Sequence, residues 1–314
     1  MKILVLGDIH GRNCWTDIVA NEPCDKVVFL GDYVSTHDNI TAEQQINNLE
    51  RILTYKIANP DKVILLRGNH DIQHLNYDWA KCSGYSKKVG DYMVSIKDTF
   101  LENTQWVYQY NNIIFSHAGI SQVWLDNSSL TIDDINSKEP CELFGFTPDS
   151  IFDTYGDSKT QSLTWIRPLS LCECNIKGYT QVVGHTPVRK IVDVYKAAKY
   201  NEHIWLCDNL PNQYLVIEDN NFIIKNTTNE ELILPNRYNS INKLIKVKEG
   251  LYKLECNNYN YLRIIGDKTI TALDPDGGPF MSIGGVICGK QIKNIYSKDN
   301  NFYLELSDGK TSNT

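Results

Sequence analysis

The chain has 314 residues, 42% of them hydrophobic and 22% charged, with a formal net charge of −7; such a composition can bury a real core, and the length favours two domains or one large one. The charge is uneven, with 20 basic and 30 acidic side chains in residues 1–235 and 11 basic and 8 acidic in residues 236–314. An acidic main body argues against a broad electrostatic nucleic-acid surface, and no apolar run approaches the ~20 residues that span a bilayer.

The N-terminal "MKILVLGD" is too short for the apolar core of a signal peptide and lacks a small-residue cleavage site. It reads as the first strand of the fold, which makes the expected location cytoplasmic. Nine scattered cysteines offer only Cys172 and Cys174 at close spacing. Reduced thiols are expected, not a disulfide frame or a cysteine zinc site.

The first hundred residues alternate strand and helix. Lys2 to Leu6 is predicted as a strand, a short helix follows with Trp15, Ile18 and Val19 on its inner face, and Lys26 to Leu30 is a second strand. In "TAEQQINNLERILTYKIANP", Thr41 and Gln44 make a capping-box pattern. Ile46, Leu49, Leu53 and Ile57 form one helical stripe, and Pro60 ends the helix. "KVILLRGNHD" is a third strand, and buried strands joined by a crossover helix imply a parallel β-α-β core.

Apolar runs in "NNIIFSHAG", "QVVGHTP" and "HIWLCDN" are further strands, and "QYLVIEDNNFIIKNT" is a hairpin turning around Asp219 to Asn221. The stretches Asp78 to Val107 and Asp126 to Ser162 are poorly periodic and are assigned to helical and loop excursions that cover a site. The aromatics Trp79, Tyr85, Trp106, Tyr108 and Trp124 are expected mainly in the core. Near "LPNRYNS" the chain changes character. Beyond it, "KLIKVKEGLYKLEC", "YLRIIGD", "TITALDPDGG", "GVICGKQIKNIYS" and "NFYLELSDG" are short β-like runs between Gly, Asn and Asp turns. They predict a small β-barrel or sandwich, dividing the chain into residues 1–235 and 236–314.

Five predicted strands end in polar signatures: "GDIH" with Asp8 and His10, "GD" with Asp32, "GNHD" with Asn69, His70 and Asp71, "SHAG" with His117, and "GHTP" with His185. In an open α/β sheet, ligands bind beyond the carboxyl ends of the strands. Carboxylate, imidazole and amide oxygen suit hard-to-borderline divalent cations and require no thiolate. Asp32 is the natural bridge, because a carboxylate can give one oxygen to each of two ions. Two ions ~3.5–4 Å apart clamp a phosphoryl group and turn water into a nucleophile. Asp8 and His10 are then ligands of the first ion.

The order D-x-H, GD, GNHD, H, GH resembles that of the calcineurin-like metallophosphoesterase superfamily. "GDIHG", "RGNHD", "SHAG" and "WIRP…GHTP" are most similar to its phosphoprotein-phosphatase branch, which includes bacterial and bacteriophage serine/threonine phosphatases and symmetrical diadenosine-tetraphosphate hydrolases. The resemblance, over roughly residues 1–220, implies an α/β fold: a four-layer α/β/β/α metallophosphoesterase sandwich, here with a small C-terminal all-β domain. It implies two divalent metal ions, manganese first, with iron, zinc or magnesium as alternatives. Asp8, His10 and Asp32 would hold one, and Asp32, Asn69, His117 and His185 the other. Where many members carry GHxH, this chain has Pro187 in place of the second histidine, so that ligand is absent. His70 matches the general acid that protonates the departing oxygen. Arg12 and Arg167 match positions where members grip phosphate, Asn69 also adjoins the substrate, and Arg67 reads as structural.

One departure is serious. In the branch the second motif is GDxVDRG, whose second Asp supports the general acid and whose Arg contacts phosphate; this chain reads "GDYVSTH", with Ser35 and Thr36 in those places. Ser35 still accepts a hydrogen bond but does not stabilise an imidazolium as a carboxylate does. Asp71, His37 and Asp38 are the candidates to compensate. Asp71 also suits a helix cap, Asp208 suits either a turn or the support of a metal histidine, and His74 and His203 read as ordinary surface or packing residues.

The resemblance implies a metal-dependent phosphoesterase, foremost a phosphomonoesterase of the serine/threonine phosphatase type or one acting on small phosphorylated metabolites. The alternative is a nucleotide hydrolase acting on a dinucleoside polyphosphate, a diphosphate or a cyclic nucleotide. A third reading, motivated by Ser35, is a scaffold that binds phosphorylated ligands without turning them over. The implied partner is a phosphorylated substrate, with no membrane; the terminal β-domain is expected to self-associate, dock a partner or shape the substrate entrance.

Overall fold

A computed structural model of the chain describes residues 1–36, 38–147, 158–194 and 202–227, together with the backbone of eight strands between 243 and 307. The backbone divides into two units, Met1–Pro235 and Asn236–Thr314.

In the first unit the elements run β1 (Lys2–Leu6), α1 (Trp15–Asn21), β2 (Lys26–Phe29), α2 (Ala42–Ala58), β3 (Val63–Leu65), α3 (Asn69–Gln73), α4 (Lys87–Ser95) and α5 (Lys97–Asn103). After these come β4 (Val107–Tyr110), β5 (Ile113–Ser116), α6 (Gln122–Ser128), α7 (Ile132–Ile135), α8 (Pro168–Glu173), β6 (Thr180–Pro187), β7 (Val192–Asp193), β8 (Ile204–Asp208), β9 (Gln213–Glu218) and β10 (Asn221–Asn226). The strands make two mixed sheets, ordered β10-β9-β1-β2-β3 and β4-β5-β6-β8-β7. The centres are parallel, β1-β2-β3 in one and β5-β6-β8 in the other, and the remaining pairs are antiparallel.

Period-two alternation explains the layering. Ile3 and Val5 of β1, with Val28, Ile64, Leu215 and Ile217, pack against Ile113, Phe115, Val182 and Cys207 of the other sheet. Their neighbours Leu4 and Leu6, with Val27, Phe29 and Leu65, face Trp15, Ile18, Leu49, Ile52 and Leu53 of α1 and α2. Val183, Ile204 and Leu206 pack with Leu171 of α8 on the far side of the second sheet. Both faces of each sheet are therefore covered, which is why the central strands read as continuous apolar runs.

The predicted capping box of α2 forms: Thr41 Oγ1 accepts from the Gln44 N–H at 3.2 Å, and Gln44 Oε1 accepts from the Thr41 N–H at 2.8 Å. The stripe is rotated from the predicted one. Ile57 is 57% exposed, whereas Ile52 is fully buried beside Leu49 and Leu53. The inner face also carries Gln45 and Asn48, polar residues that an apolar-periodicity count passes over. The third strand stops at Leu65, and "NHD" opens α3 instead of extending it, because Asp71 caps the turn by accepting from the Gly68 N–H at 2.9 Å. The hairpin forms around Asp219 and Asn220, whose φ values are 49° and 65°. Trp106 and Trp124 are buried as expected, but Tyr85 is 55% exposed, its ring stacked on His74 at 5.0 Å.

The second unit contains β11 (Lys243–Lys248), β12 (Leu251–Glu255), β13 (Leu262–Ile265), β14 (Thr269–Leu273), β15 (Pro279–Gly284), β16 (Val286–Ile287), β17 (Lys290–Lys298) and β18 (Asn301–Ser307). These form antiparallel sheets β11-β12-β18-β17-β16 and β13-β14-β15. Among the described residues no helix is long and apolar enough to cross a membrane, and all seven cysteines are free.

Candidate metal centre

Six side chains from five strand ends meet where the two sheets abut. Asp8 and His10 follow β1, Asp32 follows β2, Asn69 begins α3 just beyond β3, His117 follows β5 and His185 lies within β6. All six are buried, none more than 4% exposed. One ligand atom from each of Asp8, His10 and Asp32 lies within 4.8 Å of the others, and the same holds for Asp32, His117 and His185. Asp32 belongs to both groups, as a bridging carboxylate must.

The backbone is bent to achieve this. His10, Asp32 and His185 have φ values of 46°, 51° and 60°, in the left-handed region that L-residues seldom occupy. The strain is held by main-chain bonds: the N–H groups of Ile9 and His10 both donate to the Asp32 carbonyl, at 3.1 and 2.7 Å. At His185 the register of β6 against β8 shifts between Val183 and Pro187, which re-aims the side chain as a bulge does. Such conformations persist only where the surroundings over-determine them, and they cluster at functional sites.

Hydrogen bonds assign the imidazole nitrogens. His117 Nδ1 lies 2.8 Å from the Leu30 carbonyl oxygen and His10 Nδ1 lies 3.2 Å from that of Val34. A carbonyl only accepts, so in each neutral ring Nδ1 carries the proton and the Nε2 lone pair is turned inward. His117 Nε2 meets Asp32 Oδ2 at 3.4 Å and Asn69 Oδ1 at 3.0 Å; His185 Nδ1 meets the same Asn69 oxygen at 3.1 Å. His10 Nε2 lies 3.7 Å from Asp8 Oδ2 and 3.9 Å from Asp32 Oδ2. Asp32 Oδ1 accepts from the His70 N–H at 2.9 Å, whereas Asp32 Oδ2 is buried with no hydrogen-bond partner among the described residues. Acceptors converging on an unpartnered carboxylate oxygen are costly without a cation and favourable around one. The residues present therefore fit a pair of divalent metals.

The electrostatics agree. Burial alone pushes the Asp32 carboxyl up, but the imidazoles of His117, His70 and His10 override it and hold it well below the usual range. Burial lowers His117, and the Asp32 carboxylate more than reverses this, raising it to about 9. Burial and then the Asp208 carboxylate push the Asp8 carboxyl well above its ordinary value. Negative potential is thus concentrated where cations would lie.

The remaining candidates are spread around this centre. Arg167 Nη1 donates to the His185 carbonyl at 3.1 Å and to Thr186 Oγ1 at 3.2 Å, so its head lies beside the centre. Arg12 Nε donates to Asp38 Oδ2 at 2.9 Å, which neutralises part of its charge. Arg67 donates to Thr104 Oγ1 and to the Leu101 and Thr104 carbonyls, a structural clamp. Asp71 accepts from the Asp32, Tyr33 and Gly68 N–H groups at 2.9, 2.7 and 2.9 Å, a backbone staple rather than a support for His70. Asp38 is engaged with Arg12, and His37 lies outside the described residues. Asp208 is buried beside Asp8. His74 bridges the His70 carbonyl and the Ser86 N–H, and His203 pairs with Asp193 at 2.7 Å, both packing roles.

Several residues that serve the site carry no sequence signal. Gln45 Oε1 accepts from the Ser35 N–H at 2.9 Å, and Asn48 Nδ2 donates to the Arg12 carbonyl at 2.9 Å, so the polar stripe of α2 holds both motif loops. Gln73 and Cys82 reach His70 Nδ1, at 3.0 and 3.9 Å. Trp165 sets its ring edge-on to His185 at 5.7 Å, with Phe146 against it at 5.1 Å. The only hint was spacing: Gln73 falls three residues after His70, on the same face of a helix.

Residues 1–195 match the family model of the calcineurin-like phosphoesterases. A chain of Encephalitozoon cuniculi named as a probable serine/threonine-protein phosphatase is 25% identical over 175 residues, 53% of this chain and 34% of the relative. A Caenorhabditis elegans chain named for the same activity is 37% identical over 78 residues, 24% of this chain and 20% of its own length. The chain thus spans about a third or less of these relatives. The solved structure of a cold-active protein tyrosine phosphatase superposes with a TM-score of 0.50 over 72% of this chain and 76% of that one at 16% identity, a likeness of fold.

Proposed function

The chain belongs to the calcineurin-like phosphoesterase family, and from that premise we propose that it is a two-cation phosphoesterase, foremost a phosphomonoesterase. Asp8, His10 and Asp32 would hold the first cation, and Asp32, Asn69, His117 and His185 the second, with manganese the first choice. The observation that carries this reading is Asp32 Oδ2: a buried carboxylate oxygen without a hydrogen-bond partner, common to both ligand triads.

Bound there, a pair of divalent cations would supply charge neutralisation for phosphoryl oxygens and a more acidic water. The protein's own groups do the rest. The Leu30 and Val34 carbonyls orient His117 and His10. Arg167, beside His185, offers a guanidinium to a phosphoryl oxygen. His70, fixed through its N–H to Asp32, supplies the proton that the departing oxygen needs, a contribution of ~10²–10⁴ in rate. The free cysteines suit a reducing cytoplasm. Residues 236–314, which carry none of these side chains, are proposed to serve self-association or partner docking.

A second reading, a nucleotide hydrolase, draws on the aromatic pair at the rim. Trp165, edge-on to His185, and Phe146 against Trp165, both half-buried, offer a face on which a nucleobase can stack. A panel of p-nitrophenyl phosphate, phosphopeptides, diesters, mononucleotides and dinucleoside polyphosphates, run with manganese, iron, zinc and magnesium, separates the two. Phosphate release that Asp32→Asn abolishes supports the phosphoesterase reading. A strong preference for nucleotides selects the second reading. No turnover by the wild type on any substrate with any metal would sink both.

A further inference from the structure

The segment Asn76–Ser86 joins α3 to α4 and passes over one corner of the candidate centre. Cys82 Sγ lies 3.8 Å from Asn69 Nδ2 and 3.9 Å from His70 Nδ1, and the Ser83 carbonyl accepts from Gln73 Nε2 at 3.1 Å. A Cβ on Gly84 would stand 3.7 Å from His70 Cε1 and 3.6 Å from Ser35 Cβ. Left-handed residues stand near both ends of this strap, Asn76 at φ 62° and Gly84 at φ 76°. Its start is anchored by rings: Tyr77 stacks on Trp79 at 5.2 Å, and Lys97 Nζ lies 4.0 Å from the Tyr77 centroid. Its end is held by a histidine, the side chain whose charge changes near neutrality. His74, the C-cap of α3, is 0% exposed. Its Nδ1 lies 2.8 Å from the His70 carbonyl oxygen, its Nε2 lies 3.1 Å from the Ser86 nitrogen, and the Tyr85 ring stacks on it at 5.0 Å. Ser86 Oγ in turn accepts from the Val89 N–H at 3.5 Å and opens α4. The His70 carbonyl only accepts and the Ser86 N–H only donates, so the ring is neutral, with the proton on Nδ1 and Nε2 bare. Both nitrogens are satisfied in that state alone.

We propose that His74 is an acid-released latch: neutral, it ties Ser86 and the strap to α3; protonated, it frees the strap to lift from the Asn69–His70 corner, with Asn76 and Gly84 as hinges. The added proton, taken from solvent, sits on Nε2, where the Ser86 N–H already points. Two donors then face each other in a buried site, and the bond that closes the strap is lost. The Tyr85 ring face favours a cation, but it offers Nε2–H no acceptor and belongs to the strap itself. The other titratable or charged groups around the latch are His70 on its own helix, Asp32 at the end of β2, and Lys87 and Lys88 of α4, which pair with Asp91 at 2.7 Å and Glu43 at 3.3 Å. Burial lowers His74 more than the His70 carbonyl and the Asp32 carboxylate raise it, so the closed strap holds the ring below its ordinary 6.5. A cation on Asp32 cancels the last contribution and leaves the direction unchanged. Closure is therefore complete above the ordinary histidine value and weakens as pH falls below it, by at most ~tenfold in open population per pH unit. The latch is independent of what the centre hydrolyses.

The test reads strap opening as thiol accessibility, not turnover. The full-length chain is labelled with N-ethylmaleimide from pH 7.5 down to 5.0, with saturating manganese and again with chelator. Initial rates at the half-buried Cys82 are divided by those at the exposed Cys141, which removes the general loss of thiolate in acid. The wild-type ratio is expected to rise about threefold or more across this range, alike in both series. In His74→Gln, whose amide oxygen can accept from the Ser86 N–H without ever taking a proton, it should stay level. In His74→Phe, which has no acceptor, it should be high at every pH. A level wild-type ratio, the same rise in His74→Gln, or a rise confined to the manganese series, where acid strips the metal, would overturn the latch and leave the phosphoesterase reading standing. If either variant does not fold, long-range ¹⁵N–¹H spectra of the wild type decide the matter. The His74 ring should pass from the Nδ1–H form to the imidazolium over the same pH range in which the Cys82 ratio climbs. An Nε2–H ring at pH 7.5, or a ring still neutral at pH 5.0, would refute it.

Discussion

The backbone N–H of His185 donates to Asp8 Oδ1 at 2.9 Å and approaches Oδ2 at 3.2 Å, across 177 positions of the chain. A residue at the end of β1 is thereby tied to β6 of the other sheet, and the same carboxylate belongs to the first candidate ligand triad. Asp8→Asn keeps an acceptor for that N–H, so the fold should survive with bound metal, measured by plasma mass spectrometry, falling from two ions per chain to one or fewer. Asp8→Ala also leaves a buried N–H unpaired and should cost a further ~1–3 kcal/mol in urea unfolding. Equal stability of the two variants would mean that the inter-sheet bond contributes nothing.

If Asp32 bridges two cations as proposed, Asp32→Asn is expected to lower turnover at least ~100-fold, because loss of such a ligand should exceed the 10–100-fold typical for losing a supporting partner. In the metal-free protein it should also erase the elevated basicity of His117, whose principal charged partner is the Asp32 carboxylate. Histidine proton titration by NMR in the presence of chelator reads this directly.

His117 is raised from 6.5 to about 9 in the fold. A histidine with a raised folded pKa contributes stability that is fully present below its unfolded pKa and is lost as pH climbs through the folded value. The chelated protein should therefore lose stability between about pH 6.5 and 9, and His117→Asn should flatten that slope. A cation must also displace this proton. Calorimetric titration at pH 7.5 in two buffers of different ionisation enthalpy should reveal proton release on metal binding, and identical heats in both would contradict it.

Gly68 lies so close to Asp32 that a Cβ there would overlap Asp32 Oδ1 and stand 2.5 Å from the Asp32 nitrogen. Neither can yield without moving the Asp32 carboxylate. Gly68→Ala is expected to destabilise by ~2–4 kcal/mol and to lower metal affinity at least tenfold, measured by competition with a chromophoric chelator. Gly178→Ala has open space around its Cβ, though its φ of +87° strains any L-residue; metal affinity there should be unchanged.

On α2, Ile52→Ala should cost ~2–5 kcal/mol as a fully buried aliphatic. Ile57→Ala, at 57% exposure, should stay within ~0.5 kcal/mol. Thermal melts compare the two directly. A reversal would restore the stripe that apolar spacing alone suggests.

Much of this could be read before any coordinates, because the relevant information is local. Strand runs such as "KILVL" and "KVVF" are buried on both faces and read as unbroken apolar segments. Thr41 and Gln44 sit three residues apart and cap their own helix. Asp8, His10, Asp32, Asn69, His117 and His185 follow strands in a recognisable order, and parallel strands deliver their ends to one edge. The tertiary structure decided what depends on contacts between distant segments. These include the Asp32 carboxylate shared by both ligand triads, Asp71 serving the backbone rather than His70, Arg12 held by Asp38, and Gln73 Nε2 lying 3.0 Å from His70 Nδ1. A side chain's type constrains what it can bond to, but which partner it meets depends on where two independently specified chain segments cross. That information belongs to no window of the sequence.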